Sequence, residues 1–271
     1  MTGLNPLDWF GTAFLVLYGG LFLSACILSS IIADWLRPAG RPGTVGDADE
    51  IAVLFGKKDR FPEMVGARLL ARDAIVVEKN ELHVMPGASA QNPAESAVLA
   101  LPSPFKWPEM QRVTRPMADR TEAGLVERGL LMQRAEARIL GIWSAIPLAL
   151  LIGFGALKHD VGVARDRPVG FLTVFMIITA VVALLRVFGI DRRTKAGIAA
   201  WQDARFASSR LRAAPTRDEA AMAVALFGTG VLATSALGDF HRMRQAGSSG
   251  DGGGGDSGDG GGCGGGCGGC G

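Results

Sequence analysis

The residues with the clearest capacity for chemistry are three cysteines near the end of the chain. Cys263, Cys267 and Cys270 are separated by three and two residues, and every residue between them is glycine. Thiolates at such intervals can converge on one metal ion or iron–sulfur cluster when the intervening backbone can wrap around it. The spacing therefore predicts a soft-metal site for zinc, copper or an iron–sulfur cluster.

Three cysteines do not complete the four-ligand set of structural zinc, so a fourth ligand would have to come from His241, a second chain or a partner. Radical S-adenosylmethionine enzymes use the same C-x3-C-x2-C spacing, but their catalytic domain follows it, and here only Gly271 does. Two other interpretations stay open. The cysteines are modified or recognised by a modifying or sorting enzyme, or they belong to inert low-complexity sequence.

Three long apolar stretches predict that the chain crosses a membrane. Residues 9–33 carry no charge over 25 positions, which exceeds the roughly 20 residues that a helix needs to cross a bilayer. Residues 139–157 and 169–190 are two further spans, the last interrupted only by Arg186 near its end. The segment from Leu23 to Cys26 resembles a lipobox, but no basic residue precedes it, which favours a retained anchor.

Flanking charges predict the orientation of these spans. Asp8 precedes the first span and Arg37 and Arg41 follow it, so the positive-inside rule places the N-terminus outside and the following residues in the cytoplasm. Residues 220–238 are also uncharged but consist largely of small side chains. We expect them to form a protein-packed or interfacial helix, with a fourth span as the alternative. Three spans leave the C-terminus in the cytoplasm.

Residues 37–138 are predicted to be a small winged-helix-like cytoplasmic domain. The pattern predicts two helices separated by a break at 56–60, a hairpin of strands 74–77 and 82–85, and a long helical zone interrupted near Pro116. Asn92 is the predicted N-cap of an intervening helix. Winged helices commonly bind DNA, but residues 43–138 contain 13 basic and 14 acidic residues, a net charge of −1. This balance favours a structural or protein-binding module and disfavours nucleic acid as a partner.

The predicted fold class is mainly α: a polytopic helical membrane protein with three spans, a fourth as the alternative, a winged-helix-like α+β domain and a disordered tail. A hydrophobic content of 48% and a net charge of only +2 agree with this class. The predicted divisions are an N-terminal anchor at 1–36, the cytoplasmic domain at 37–138, a transmembrane hairpin at 139–191, a cytoplasmic or interfacial helical region at 192–246, and the Gly/Cys-rich tail at 247–271.

Several stretches together resemble an uncharacterised family of bacterial membrane proteins. They are LNPLDWFGTAFLVLY at 4–18, LVERGLL at 125–131, DRPVGFLTVFMIITAVVALL at 166–185, RRTKAG at 192–197, VALFGTGVLA at 224–233 and the Gly/Cys-rich end. The family joins an N-terminal anchor, a helical cytoplasmic region, two close spans and often such a tail. The resemblance implies a multi-pass protein of the bacterial inner membrane. It implies no activity and no catalytic residue.

Three functions follow as hypotheses. The first is a non-enzymatic membrane protein that presents its tail to a partner or modifying enzyme. The second is a soft-metal or thiol-handling membrane protein that uses the tail cysteines, and the third is a membrane-bound regulator whose domain binds nucleic acid. An enzyme is the least favoured class, because the three histidines are scattered and no P-loop or H-E-x-x-H pattern occurs. The expected partners are the lipid bilayer and either another protein or further copies of the chain through the membrane helices.

Overall fold

A computed structural model describes residues 11–164, 170–213 and 215–248, and these residues are mainly helical. Nine α-helices and one two-stranded antiparallel sheet are present in these ranges. They are α1 (Gly11–Leu36), α2 (Ala48–Ala71), β1 (Ile75–Glu78), β2 (Glu81–Val84), α3 (Pro93–Leu99), α4 (Trp107–Glu127), α5 (Arg134–Ala164), α6 (Gly170–Phe188), α7 (Lys195–Ala207), α8 (Ala220–Phe227) and α9 (Gly238–Ser248).

Helices α1, α5 and α6 are the three helices of the described part of the chain that are long and apolar enough to cross a membrane. They pack around a small aromatic core that includes Phe14, Tyr18 and Leu148. Large apolar side chains cover their outer surfaces, among them Leu150 and Phe171. Such surfaces suit contact with lipid chains rather than water. The prediction of three apolar spans is thus confirmed at the level of helix length and composition.

The remaining helices form a domain with one hydrophobic core, here called the helical domain (residues 45–131 and 195–248). Its core draws on α2, α4, the hairpin, α8 and α9. The predicted division between a domain at 37–138 and a separate region at 192–246 therefore does not separate two cores. Burial of apolar surface from both segments stabilises a single unit that the two later spans interrupt in sequence.

Helix α8 lies in the centre of this core. Ala223, Val224 and Ala225 are fully buried, and the small alanine side chains let α8 approach α2 closely. The helix has only eight residues and ends at Gly228, whose φ of 80° is readily adopted by glycine. A bilayer span needs roughly 20 residues. The helix Ala220–Phe227 is accordingly packed against protein, and residues 220–238 contain no helix long enough to cross a membrane, so the alternative of a fourth span is wrong.

Two predicted interruptions of helices are wrong. Helix α2 continues through residues 56–60 and contains Pro62, and α4 continues through Pro116. A proline inside a helix removes one backbone hydrogen bond, which costs roughly 3 kcal/mol. In α2 the burial of Phe61, Met64 and Val65 offsets that cost, because all three side chains are in the core.

The hairpin and the N-cap of α3 are confirmed. Strands β1 and β2 pair with Glu78 opposite Glu81, and the turn residues Lys79 and Asn80 both have positive φ, as tight hairpin turns require. The Asn92 side chain accepts a hydrogen bond from the Glu95 backbone N–H. However, within the helical domain a single helix, α2, precedes the hairpin, so the order of helices that supported a winged helix is not present in the described residues.

The segments that connect the spans to the helical domain are hydrogen-bonded to one another. We call this region the junction (residues 37–41, 129–134 and 189–197). The Met132 N–H donates to the Arg192 carbonyl at 2.7 Å and the Thr194 N–H donates to the Leu130 carbonyl at 3.1 Å. The Lys195 N–H donates to the Pro38 carbonyl at 3.0 Å. All three connections between membrane helices and helical domain therefore meet at one place.

Candidate functional site: the tail exit and a basic cavity at the junction

The predicted metal ligands Cys263, Cys267 and Cys270 lie outside the described residues. Their proposed companion His241 is in α9, half-buried, with Nδ1 3.1 Å from the Thr229 hydroxyl. Across the ranges that the structure describes, no group of three or more His, Cys, Asp or Glu side chains could hold a metal. A soft-metal site would therefore have to be built from the tail cysteines with His241 or another ligand.

Helix α9 is the last element before the tail, and it is firmly docked on the helical domain. Phe240 is buried and its ring meets the Trp107 ring edge-on, with 5.9 Å between centroids. Arg244 forms an ion pair with Glu63, with 3.0 Å between Nε and Oε1, and its guanidinium lies 4.0 Å from the Trp107 ring centroid. These contacts attach α9, whose last residue is Ser248, to the helical domain.

A cavity of about 850 Å³ opens at the junction, between α2, α4 and the residues that follow α6. We call it the junction cavity. Six cationic and three acidic side chains line it, which gives a formal net charge of +3. The cations are Lys58, Arg112, Arg115, Arg134, Arg192 and Arg193, and the acids are Asp59, Glu122 and Asp191.

Glu122 is the buried anion that holds several of these cations. Its carboxylate lies 2.9 Å from Lys58 Nζ, 2.7 Å from an Arg192 nitrogen and 3.4 Å from Arg134 Nε. Burial alone would raise the pKa of the Glu122 carboxyl, but hydrogen bonds from Lys58, Arg192 and Arg134 outweigh it and lower the pKa to about 2. Glu122 is therefore ionised at neutral pH, and it organises cations from three separate elements.

Further contacts hold the walls of the cavity in place. Burial would raise the pKa of the Asp191 carboxyl, but hydrogen bonds from the Arg193 side chain and backbone hold that pKa below its usual range. The Arg193 guanidinium also lies over the Trp201 ring, 5.0 Å from its centroid. Arg37 donates to the backbone carbonyls of Asp191 and Arg193, at 3.1 and 2.5 Å. The backbone after α6 is thereby fixed against α1 and α7.

A second buried acid, Glu95, has a structural role. It is fully buried at the start of α3 and accepts hydrogen bonds from the Gln91 backbone N–H and the Asn92 side chain, at 2.7 and 3.0 Å. Arg72 forms an ion pair with it across the interface with α2. Both carboxylate oxygens are already used, so this network joins α3 to α2 and leaves no acceptor for a ligand.

Sequence reasoning did not find the junction cavity. Its central residues, Lys58, Glu122, Arg134 and Arg192, are far apart along the chain, and only the fold brings them together. One signal was present, since Arg134, Arg192 and Arg193 flank the spans, but these residues also serve as ordinary topology markers.

Compared with known proteins, the chain matches no family model, no curated protein and no solved structure. The family resemblance described above is a hypothesis that these comparisons leave untested.

Proposed function

We propose that this protein is a non-enzymatic, multi-pass protein of the bacterial inner membrane that presents its Gly/Cys-rich tail to a protein partner or a modifying enzyme. The observation that carries the proposal is the docking of α9. Phe240 and Arg244 attach the last described helix to the helical domain, which is itself joined to the membrane helices at the junction. We infer that the tail, which follows α9 in sequence, is presented from this attached helix.

The arrangement of charges supports a cytoplasmic location for the helical domain and the tail. The end of α1, the start of α5 and the end of α6 all meet at the junction, and arginines or lysines occur at each of them. The positive-inside rule assigns such an end to the cytoplasm. Three spans then place the N-terminus on the outer side of the membrane.

The proposal is tested by the intact mass and the metal content of protein purified anaerobically from its native host. We expect added mass that maps by proteolysis to residues 249–271, without stoichiometric metal. A triple variant, Cys263→Ser with Cys267→Ser and Cys270→Ser, should lose the added mass, whereas the control Cys26→Ser should keep it. Cys26 is a half-buried residue of α1 and is remote in sequence from the tail. An unmodified, metal-free tail would contradict the proposal.

Soft-metal handling is the second candidate function, and the environment of His241 favours it. Metal-ligating histidines usually donate their other ring N–H to an oxygen acceptor, which fixes the tautomer. The Thr229 hydroxyl lies 3.1 Å from Nδ1 of His241 and can accept such a bond, which would leave Nε2 as the ligand atom. His241 with Cys263, Cys267 and Cys270 would then complete a tetrahedral set suited to zinc.

This second candidate predicts one zinc, copper or iron-containing group per chain in the wild-type protein. The metal should be lost in the triple Cys→Ser variant. The Thr229→Val variant, which lacks the acceptor for Nδ1, should bind the metal with an affinity about 10- to 100-fold lower. Zinc binding that is lost in the cysteine variant but unchanged in Thr229→Val would show that the Thr229 hydroxyl does not position a zinc-binding His241.

The third hypothesis is a nucleic-acid-binding domain. No observation on residues 11–164, 170–213 and 215–248 supports it. A salt-dependent mobility shift with duplex DNA would revive it, because phosphate contacts release counterions on binding.

A further inference from the structure

We propose that the junction cavity binds the phosphate headgroup of an anionic membrane lipid. This site is separate from the tail and does not depend on the function proposed for it. Basic cavities beside transmembrane helices on the cytoplasmic side suit anionic lipid headgroups, because they combine positive charge with access from the bilayer.

The first argument is the concentration of charge. Residues 43–138 have a net charge of −1, yet those among them that line the junction cavity comprise four cations and two acids, a net charge of +2, and Asp191, Arg192 and Arg193 raise the total to +3. A volume of about 850 Å³ falls in the range typical of small-molecule sites and can hold a phosphodiester headgroup. The fold has therefore brought together cations that the sequence disperses among acids.

The second argument is that part of this charge has no internal partner. Glu122 forms ion pairs with Lys58, Arg134 and Arg192, and Asp119 is a second acidic partner of Lys58. Within the part of the chain that the structure describes, Arg112 and Arg115 are exposed on the cavity wall and form no ion pair. The Nε–H of Arg192 is buried there, also without an acceptor among described residues. Guanidinium groups bind phosphate oxygens in a bidentate manner, so these donors match a phosphate well.

The third argument is the height of the cavity relative to the membrane. Gly189, Asp191 and Arg192 on its wall directly follow the last turn of α6, and Arg134 opens α5. Phe188, which is 79% exposed, and Ile139, which is 55% exposed, begin the apolar surface within a few residues of this wall. A lipid whose chains lie along α5 and α6 would therefore place its phosphate beside the cavity.

This position distinguishes a lipid from a free phosphate compound. A soluble ligand gains nothing from the apolar surface of α5 and α6, whereas each methylene of an acyl chain that is buried against this surface adds to the affinity. The site is accordingly assigned to a lipid, and inorganic phosphate serves as the competing ligand in the test.

The test uses the full-length protein in a non-ionic detergent, titrated with dioctanoylphosphatidylglycerol and followed by native mass spectrometry. The variant carries Arg112→Gln and Arg115→Gln together. The matched control carries Arg120→Gln and Arg138→Gln, two exposed arginines of α4 and α5 that do not line the cavity. Both variants lose two positive charges, so they differ only in where the charge is removed.

We expect Arg112→Gln with Arg115→Gln to weaken phosphatidylglycerol binding by about tenfold or more, and the control to weaken it less than threefold. Thermal unfolding of both variants in the absence of lipid shows whether they fold like the wild type. An equal loss in the two variants would reduce the effect to general electrostatic attraction and overturn the proposal.

Two further ligands test whether the cavity recognises the charge of the headgroup and whether it binds a lipid or a soluble phosphate compound. Dioctanoylphosphatidylcholine, which has the same phosphate and chains but no net charge, should bind at least tenfold more weakly than phosphatidylglycerol. Inorganic phosphate at millimolar concentration should not displace the lipid. Saturable displacement by inorganic phosphate would assign the cavity to a soluble phosphate compound, and equal binding of the two lipids would show that the headgroup is not recognised. Either result overturns the proposal.

Discussion

At the scale of single residues, Glu122 is the side chain on which the junction depends most. Replacing it by glutamine in Glu122→Gln leaves Arg134 and Arg192 close together without a counter-charge, while Asp119 remains as the acidic partner of Lys58. Removal of one partner from a buried ionic cluster is strongly destabilising, because the remaining charges stay desolvated. We expect the free energy of unfolding to fall by about 2–3 kcal/mol, allowing for the partial exposure of the arginines.

Thermal unfolding in detergent measures this effect. Glu127→Gln is the matched control, since Glu127 is an exposed acid on the same helix. If both variants lowered the melting temperature equally, Glu122 would have no special role at the junction.

The same carboxylate predicts a dependence of stability on pH. The pKa of Glu122 is about 2 in the folded protein, compared with a usual value of 4.5. A group whose pKa is lowered by folding stabilises the folded state above its unfolded pKa, and this contribution is lost as the pH falls toward the folded pKa. The difference in stability between wild type and Glu122→Gln should therefore be largest above about pH 5 and shrink between pH 4.5 and pH 2.

Unfolding measured from pH 7 down to pH 3 in the same detergent follows that difference. A gap between wild type and variant that stayed constant over this range would show that the contribution of Glu122 is not electrostatic.

At the scale of elements, the close crossing of α5 and α6 depends on Gly141. A Cβ atom at this position would lie 2.6 Å from the Val187 carbonyl oxygen, so the two backbones would have to separate. Small residues at such contacts let transmembrane helices pack closely. We expect Gly141→Ala to destabilise the protein by about 1–3 kcal/mol, the usual cost of overpacking.

Gly153→Ala provides the comparison for this prediction, because Gly153 lies in α5 too and has nothing within 4 Å of the added Cβ. It should be neutral or slightly stabilising. Unfolding of the two variants in the same detergent separates steric conflict from helix propensity, and similar losses would refute the steric explanation.

Some of the helices and strands could be predicted from the sequence and others could not. The three spans were recognisable because each is a long apolar run, interrupted only by Arg186 near the end of the third, and the hairpin because Lys79 and Asn80 separate two β-prone segments. The continuity of α2 was not recognisable, since Pro62 is a local helix breaker and only tertiary burial of Phe61 and Met64 overrides it. In α2, long-range packing therefore outweighed the local propensity of the sequence.

The candidate site was even less accessible to sequence reasoning. The tail cysteines were identified by spacing alone, whereas the junction cavity combines residues from α2, α4, α5 and the segment after α6. The net charge of a long segment does not reveal such a site, because acidic residues elsewhere in the segment cancel its cations. The local excess of arginine became visible only when distant segments were placed side by side.

At the scale of the whole molecule, orientation in the membrane is the most direct prediction. Green fluorescent protein fused after Ser248 should fluoresce, and alkaline phosphatase fused at the same point should be inactive, since the helical domain is proposed to be cytoplasmic. Phosphatase inserted between residues 165 and 169 should be active, because Ala164 and Gly170 are the ends of α5 and α6 that lie away from the junction. An active phosphatase after Ser248 would reverse the proposed topology.

The junction also has a consequence for how the protein moves. A domain attached by one covalent linker can rotate independently of its anchor, but here backbone hydrogen bonds connect all three linkers, through Met132, Thr194 and Lys195. The helical domain should consequently tumble with the detergent micelle or nanodisc that surrounds the spans. Amide relaxation in the helical domain would then report the rotational correlation time of the whole particle, and any twist of the membrane helices against one another would be carried directly into the domain.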